Sequence, residues 1–333
     1  MGKGQYQPDT LARGTVVANS ARRRRRYRIE WPTYVALAGC YGAWALVTLN
    51  WSWLPLIIFV PLAAYCVALQ SSLRHEALHG HPTRSVAVNE ALVFPALCLV
   101  IPYRRFRDTH LRHHFDARLT DPYDDPESWF LAESDWSALP RALRILLRIN
   151  NTLAGRLIIG PPLSLVGLLR HDIKAMLAGN RRVALAWALH VAGCLPVVSW
   201  IVFVAGIPLW AYLLAASWPG LSLLMLRTYA EHQAHPEVPQ RTAIIEASPV
   251  FSLLFLNNNL HFLHHKRPRV PWYELPGLYR TERDRLWQEN GGYGFAGYGD
   301  LARRHLLRPR QPVRHPFLRR ADAVEVSEAE PEA

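Results

Sequence analysis

Lysine is nearly absent from this 333-residue chain: only Lys3, Lys174 and Lys266 stand among its 38 basic side chains. The other cations are arginines, and the formal net charge is +12. Such basicity suits nucleic acid or an anionic membrane surface. No nucleic-acid-binding motif accompanies it, and the arginine bias by itself carries no functional reading. Cysteine is scarce too. Cys40, Cys66, Cys98 and Cys194 all lie in apolar stretches and form no Cys-x-x-Cys pair. That excludes a disulfide framework, a cysteine zinc site and an iron–sulfur motif. Charge itself is missing from 33–73 and from 183–226. Each run is too long for one membrane crossing and fits two, because a helix needs roughly 20 apolar residues to cross a hydrocarbon core about 30 Å thick.

The first run breaks near Asn50 to Pro55 and the second near Gly206-Ile207-Pro208, where turn residues interrupt it. Four spans follow, at about 33–50, 53–74, 183–205 and 207–227, arranged as two hairpins. A mean hydropathy of −0.01 leaves much of the chain outside the bilayer, and 12 Trp suit interfacial belts. Arg22 to Arg26 and Arg28 precede the first span and Arg74 follows the second. Arg181 and Arg182 precede the third and Arg227 follows the fourth, while the hairpin turns hold no Lys or Arg. The positive-inside rule then places both termini and the central segment in the cytoplasm. A cleaved signal peptide fits poorly, since one span is followed at once by another. Residues 91–103 are apolar but too short to span and read as a re-entrant or interfacial helix. Residues 139–170 mix Leu and Ile with Arg141, Arg144, Arg148 and Arg156, a pattern of surface helices. The expected organisation is a basic segment 1–31, a main domain 32–280 and a C-terminal segment 281–333. The acidic, Ala-rich tail from Arg319 suits disorder. The only internal similarity is the loose one between the hairpins. The fold class is all-α and integral membrane, with a cytoplasmic helical cap.

Histidine is abundant. Nine of the 15 fall into four groups: His75 and His79; His110, His113 and His114; His232; and His261, His264 and His265. His75 and His79 are spaced i, i+4 and share a helix face. The other two full groups both read His-x-x-His-His. In the topology above all four groups lie on the cytoplasmic side. Neutral imidazole is a ligand for iron, copper, zinc and nickel. Eight or nine imidazoles exceed what one ion holds, so two metals are implied. Iron is the choice for oxygen chemistry because zinc has no redox states. Each ligand imidazole needs a partner for its other nitrogen. Glu76, Asp108, Asp116 and Glu231 lie beside the boxes, and Asn257 stands one helical turn before His261. His81 and His235 sit next to better ligand candidates and read as supporting residues. His171, His305 and His315 have no histidine partners and read as ordinary polar residues. His190 lies inside a span and is expected to bond between helices.

The order His-x3-His, His-x-x-His-His, His-x-x-His-His resembles the membrane fatty acid desaturase superfamily. The resemblance covers roughly 33–280. The stretches from His75 to Arg84 and from Thr120 to Ser128 look like its bacterial branch. It implies that His75, His79, His110, His113, His114, His261, His264 and His265 bind two non-haem iron ions, with His232 as a further ligand. It also implies O2 as co-substrate, a lipid or acyl substrate, and a separate ferredoxin- or rubredoxin-type electron donor. Contact with membrane phospholipids and a bacterial inner-membrane location follow as expectations. The expected activity is an acyl-lipid desaturase, with a hydroxylase, ketolase or alkene-forming oxidase as the alternative within the superfamily. A metal transporter is the rival of another class; it predicts ionisable ligands near mid-membrane, where this chain places only His190.

Overall fold

The structure, a computed structural model, describes residues 29–114 and 116–317. The expectations for the segment before residue 29, the Asp116 side chain and the tail from Arg319 fall outside the described residues. The fold is mostly helical. In chain order it comprises α1 (Trp31–Leu49), α2 (Leu56–Leu78), α3 (Val86–Val93), α4 (Tyr103–His113), α5 (Glu133–Ala138), α6 (Arg141–Asn150), α7 (Leu153–Leu177), α8 (Arg181–Val204) and α9 (Leu209–Glu231). Then follow strand β1 (Ile244–Ile245), α10 (Pro249–Leu254), α11 (His261–Lys266), α12 (Leu275–Glu289), strand β2 (Gly294–Phe295) and α13 (Tyr298–His305). The strands pair in parallel.

Five helices are long and apolar enough to cross a membrane: α1, α2, α7, α8 and α9. Four match the expected spans and their turns, with Gly206 at φ +69° closing the second hairpin. The fifth, α7, takes in the region expected to hold surface helices. Asn151, just before it, donates to the Gln311 carbonyl at 2.7 Å, and the Ala154 amide donates to Leu306. Near its far end, Asp172 accepts from Arg105 of α4 and from Trp187 of α8, both at 2.8 Å. Both ends of α7 are thus tied to segments that abut the histidines.

The central helix is α2, more buried than the other four apolar helices. It meets α9 closely at Gly220, where an added Cβ would lie 2.5 Å from Val67 Cγ1. Small residues at crossing points let membrane helices pack backbone to backbone. The hairpins are also joined by hydrogen bonds. Trp44 Nε1 donates to the Tyr212 hydroxyl at 2.9 Å, and Trp200 Nε1 to Thr48 Oγ1 at 3.0 Å.

The segment expected as a helix over 91–103 differs. Helix α3 ends at Val93, and 94–102 is irregular and largely buried up to α4. Pro95 and Pro102 remove two amide donors and disfavour helix at the residues before them. The freed carbonyls are met by side chains, as non-helical backbone in an apolar setting requires. Gln70 Nε2 donates to Val93 (3.1 Å) and Pro95 (2.9 Å), and the Tyr212 hydroxyl to Leu97 (2.8 Å). Arg74 Nη2 donates to Ile101 (2.8 Å). His190 Nε2 lies 3.1 Å from the Leu99 carbonyl. The bond expected of His190 therefore runs to this loop rather than between helices. The chain after 280 packs on the rest: Leu131 N donates to Val313, and β2 lies beside β1.

Candidate metal centre

The nine histidines come together from four separate segments. Helix α2 continues past its apolar part, so His75 stands in its last turn and His79 caps it. Helix α4 carries His110 and His113, with His114 at its C-cap. Helix α11 carries the third box and packs through Phe262 and Leu263 on a small core with Ile244, Leu275 and Leu286. His232 ends α9 in extended conformation. It is pinned there because Arg310 Nη2 donates to its carbonyl at 2.7 Å.

The imidazoles sort into two groups. His75, His79, His110, His114 and His264 form one; His113, His232, His261 and His265 form the other. Within each group the candidate ligand atoms lie within 4.8 Å of one another. Helical periodicity explains the division. Residues spaced i, i+4 share a face, so His110 and His114 enter the first group and His113 the second. In the third box His261 and His265 enter the second group and His264 the first. The box sequences do not state which pair goes where; only the relative placement of α4 and α11 does. The rings of His114 and His265 stack at 4.3 Å where the groups meet.

The nitrogens are arranged to receive a cation. His110 Nδ1 lies 2.9 Å from Glu127 Oε1 and His113 Nδ1 lies 2.8 Å from Asp125 Oδ1. His261 Nδ1 lies 2.9 Å from Asn258 Oδ1, with Glu231 Oε1 at 3.3 Å. Oxygen acceptors fix the proton on Nδ1, so that in the neutral ring Nε2 carries the lone pair. Those Nε2 atoms then face other Nε2 atoms. His110 has His75 at 2.9 Å and His114 at 3.0 Å; His261 has His232 at 3.0 Å and His265 at 3.2 Å. His79 Nε2 is buried with no hydrogen-bond partner. Lone pairs packed this closely in the interior fit a bound metal, since bonds of roughly 2.1 Å put adjacent nitrogens about 3.0–3.4 Å apart and opposite ones about 4.2 Å. Burial and the neighbouring imidazoles hold His114, His232, His261 and His264 below the ordinary histidine range. Burial lowers His113 as well, but Glu127 and Asp125 outweigh it and raise it to about 9. Burial raises Glu127, yet His110 and His113 hold it well below the usual carboxylate range.

The other residues picked from the sequence lie elsewhere or act differently. Glu231 bonds Arg227 at 2.8 Å and approaches His261. Glu76 Oε1 accepts from the Trp272 amide at 2.9 Å, and Asn257 Nδ2 donates to the Trp272 carbonyl at 2.9 Å, so both brace the 272 turn. Asp108 pairs with Arg107 and Arg182 rather than with a histidine. His81 is buried and bonded to Glu30 at 2.9 Å. His235 Nδ1 accepts from the Glu237 amide. Neither joins a group. Asp125, Glu127 and Asn258 were not picked. Asn258 touches both groups, since Nδ2 also lies 3.4 Å from His75 Nε2. Before it, Leu256 and Asn257 take positive φ of 47° and 57°, strain of about 1–3 kcal/mol each that the tight turn into α11 imposes. The acidic run Asp121 to Glu127, interrupted by Pro122 and Pro126, was the available signal for the carboxylates.

The family model described as Fatty acid desaturase matches residues 51–296, well over half of the chain. The chain belongs to the fatty acid desaturase family. A search of curated proteins returned no match. Membership makes it a desaturase-type oxidoreductase of lipid metabolism in a membrane context, and the two histidine groups lie within the matched residues.

Proposed function

We propose that this chain is a membrane-bound di-iron desaturase that oxidises C–H bonds of an acyl chain with O2. The observation that carries the reading is the convergence of nine imidazoles into two groups whose Nε2 atoms face inward. His75, His79, His110, His114 and His264 would hold one ion, and His113, His232, His261 and His265 the other. Iron bound there would supply activation of O2 for oxidation of an unactivated methylene. The chain's own residues do the rest. Glu127, Asp125 and Asn258 hold the proton on Nδ1 of His110, His113 and His261 and so fix ring orientation. Helices α2, α4 and α11 set the relative positions, which decides which substrate carbon reacts. The buried setting keeps water out.

We read four spans, with α7 lying along the surface. At 1.5 Å per residue its 25 residues measure roughly 37 Å, too long for both ends to reach the same side if it crossed. The arginine distribution favours a cytoplasmic site and termini, as at a bacterial inner membrane. A ferredoxin- or rubredoxin-type donor would supply electrons there, and exposed arginines would contact phospholipid head groups. Hydroxylation remains the second outcome of the same site, because both begin with C–H cleavage. The test is lipid profiling of cells that express the chain with a ferredoxin system, beside metal analysis of the purified protein. A new double bond and two irons per chain are expected. Oxygen retained in the product sinks the desaturase assignment, and zinc alone sinks the oxidase reading.

A further inference from the structure

Beside the second histidine group lies a cavity of about 60 Å³ that the proposed chemistry leaves without a role. Its wall shares His232, Asp125 and Glu127 with the metal centre and adds Trp129, Phe130, Tyr229, Arg156 and Arg310. Arg156 is only 3% exposed. Its guanidinium lies 3.6 Å from the centre of the Trp129 ring. Its Nε donates to the Asn150 carbonyl at 3.2 Å, and its terminal nitrogens make no hydrogen bond or ion pair among the described residues. Arg310 reaches in from the C-terminal segment, over the Tyr229 ring at 5.2 Å. Its terminal nitrogens bond the Tyr293 hydroxyl and the His232 carbonyl, but its Nε is buried without a partner.

A buried guanidinium beside a half-buried one whose Nε is sequestered, neither with a carboxylate in ion-pair range among the described residues, is costly unless an anion completes them. A cation–π contact offsets only part of that cost. The acids in the wall are already spent. Asp125 accepts from His113, the Thr120 amide and the Glu127 amide, and Glu127 serves His110. The neighbouring polar groups are spent too: Gln311 Nε2 donates to the Ala234 carbonyl and the Tyr229 hydroxyl to Asn151. The charged open donors in this cavity, among the described residues, are the terminal nitrogens of Arg156 and the Nε of Arg310. Its size admits a carboxylate or phosphate group. Its aromatic wall suits the first part of an apolar tail.

We propose that Arg156 and Arg310 form an oxyanion subsite for the anionic head group of an amphiphilic substrate, seated beside His232. The assignment rests on the acyl-oxidase reading above for its purpose, though not for its chemistry. The test measures binding to the metal-loaded full chain in a neutral maltoside detergent, using dodecanoate, dodecyl phosphate, dodecanol and inorganic phosphate. One of the two anionic amphiphiles should bind about 10- to 100-fold more tightly than dodecanol, the span expected for charge-assisted hydrogen bonds. Arg156→Gln should remove that preference and Arg156→Lys should keep part of it. Whether dodecanoate or dodecyl phosphate is preferred names the head group. Equal binding of all three amphiphiles by the wild-type chain overturns the proposal, even where Arg156→Gln fails to fold. So does a folded Arg156→Gln chain that keeps the preference, or binding of inorganic phosphate alone. Because turnover is not needed, these results bear on the subsite alone. A chain that binds acyl anions yet yields no oxidised product would instead count against the oxidase reading.

Discussion

Asp125→Asn should weaken one metal position and spare the other. Asp125 Oδ1 accepts from His113 Nδ1 at 2.8 Å and from the Glu127 amide at 2.9 Å, and Oδ2 accepts from the Thr120 amide at 2.9 Å. Asparagine keeps the shape but offers one oxygen where two were used. Loss of an acidic partner behind a metal-bound histidine costs about 10- to 100-fold in affinity, or about 1.4–2.7 kcal/mol. A buried amide left facing an NH2 group adds about 1–3 kcal/mol of folding stability lost. His113 belongs to the group of four, and among the described residues no hydrogen bond or ion pair joins Asp125 to the five imidazoles of the other group. The assay is metal content of the purified chain after dialysis against graded chelator. The variant should fall to about one ion per chain at a chelator strength where the wild type keeps two. Glu127→Gln, which acts on His110, should show its main loss in the group of five. Parallel loss of both ions in Asp125→Asn, or none, would refute the division into two groups and the role given to Asp125.

Three further outcomes follow from the same geometry. In the metal-free chain at pH 7 His113, raised to about 9, carries a proton, whereas His79, His110, His114, His232, His261 and His264 are lowered and already neutral. Metal loading should release about one proton, and affinity should climb about tenfold per pH unit below about pH 9 and level off above it. Calorimetry in two buffers of different ionisation heat reads this, and release of several protons contradicts it. Gly220→Val places a side chain against Val67 and the Ala64 carbonyl, so the thermal midpoint should fall by an amount equivalent to about 1–3 kcal/mol. Gly39→Ala, with nothing within 4 Å, should leave it unchanged. Gln70→Leu strands the Val93 carbonyl at about 1–3 kcal/mol and leaves the Pro95 carbonyl only the Tyr41 hydroxyl at 3.3 Å. Limited proteolysis should then cut within 94–102, and an unaltered cleavage pattern would show that the loop does not depend on Gln70.

The sequence was read well where one-dimensional pattern and local chemistry coincide. The uncharged runs and their Gly, Pro and Asn breaks located four of the long helices within a few residues, since backbone bonding in an apolar solvent allows little else. The i, i+4 spacing placed His75 and His79 together. It was read poorly where partners are distant. Asn257 and Glu76 were chosen by proximity along the chain, yet both serve Trp272, while Asn258 and the acids at 125 and 127 reach the histidines across the fold. The buried run 94–102 looked helical by composition alone. Its own prolines break the helix, and the side chains that satisfy its carbonyls come from three different helices.

What the sequence by itself determined is the inventory: nine imidazoles, their box spacing, and spans that cannot avoid helix. These depend on composition and on periodicities internal to one helix. Only the tertiary structure decided how the boxes divide between two groups, which carboxylates hold each proton, and that buried Arg156 and half-buried Arg310 stand beside His232. Those features depend on the angle and depth at which α2, α4, α9 and α11 meet. That is set by close contacts such as Gly220 against Val67 and by the strained turn at Leu256 and Asn257, and no local pattern encodes it.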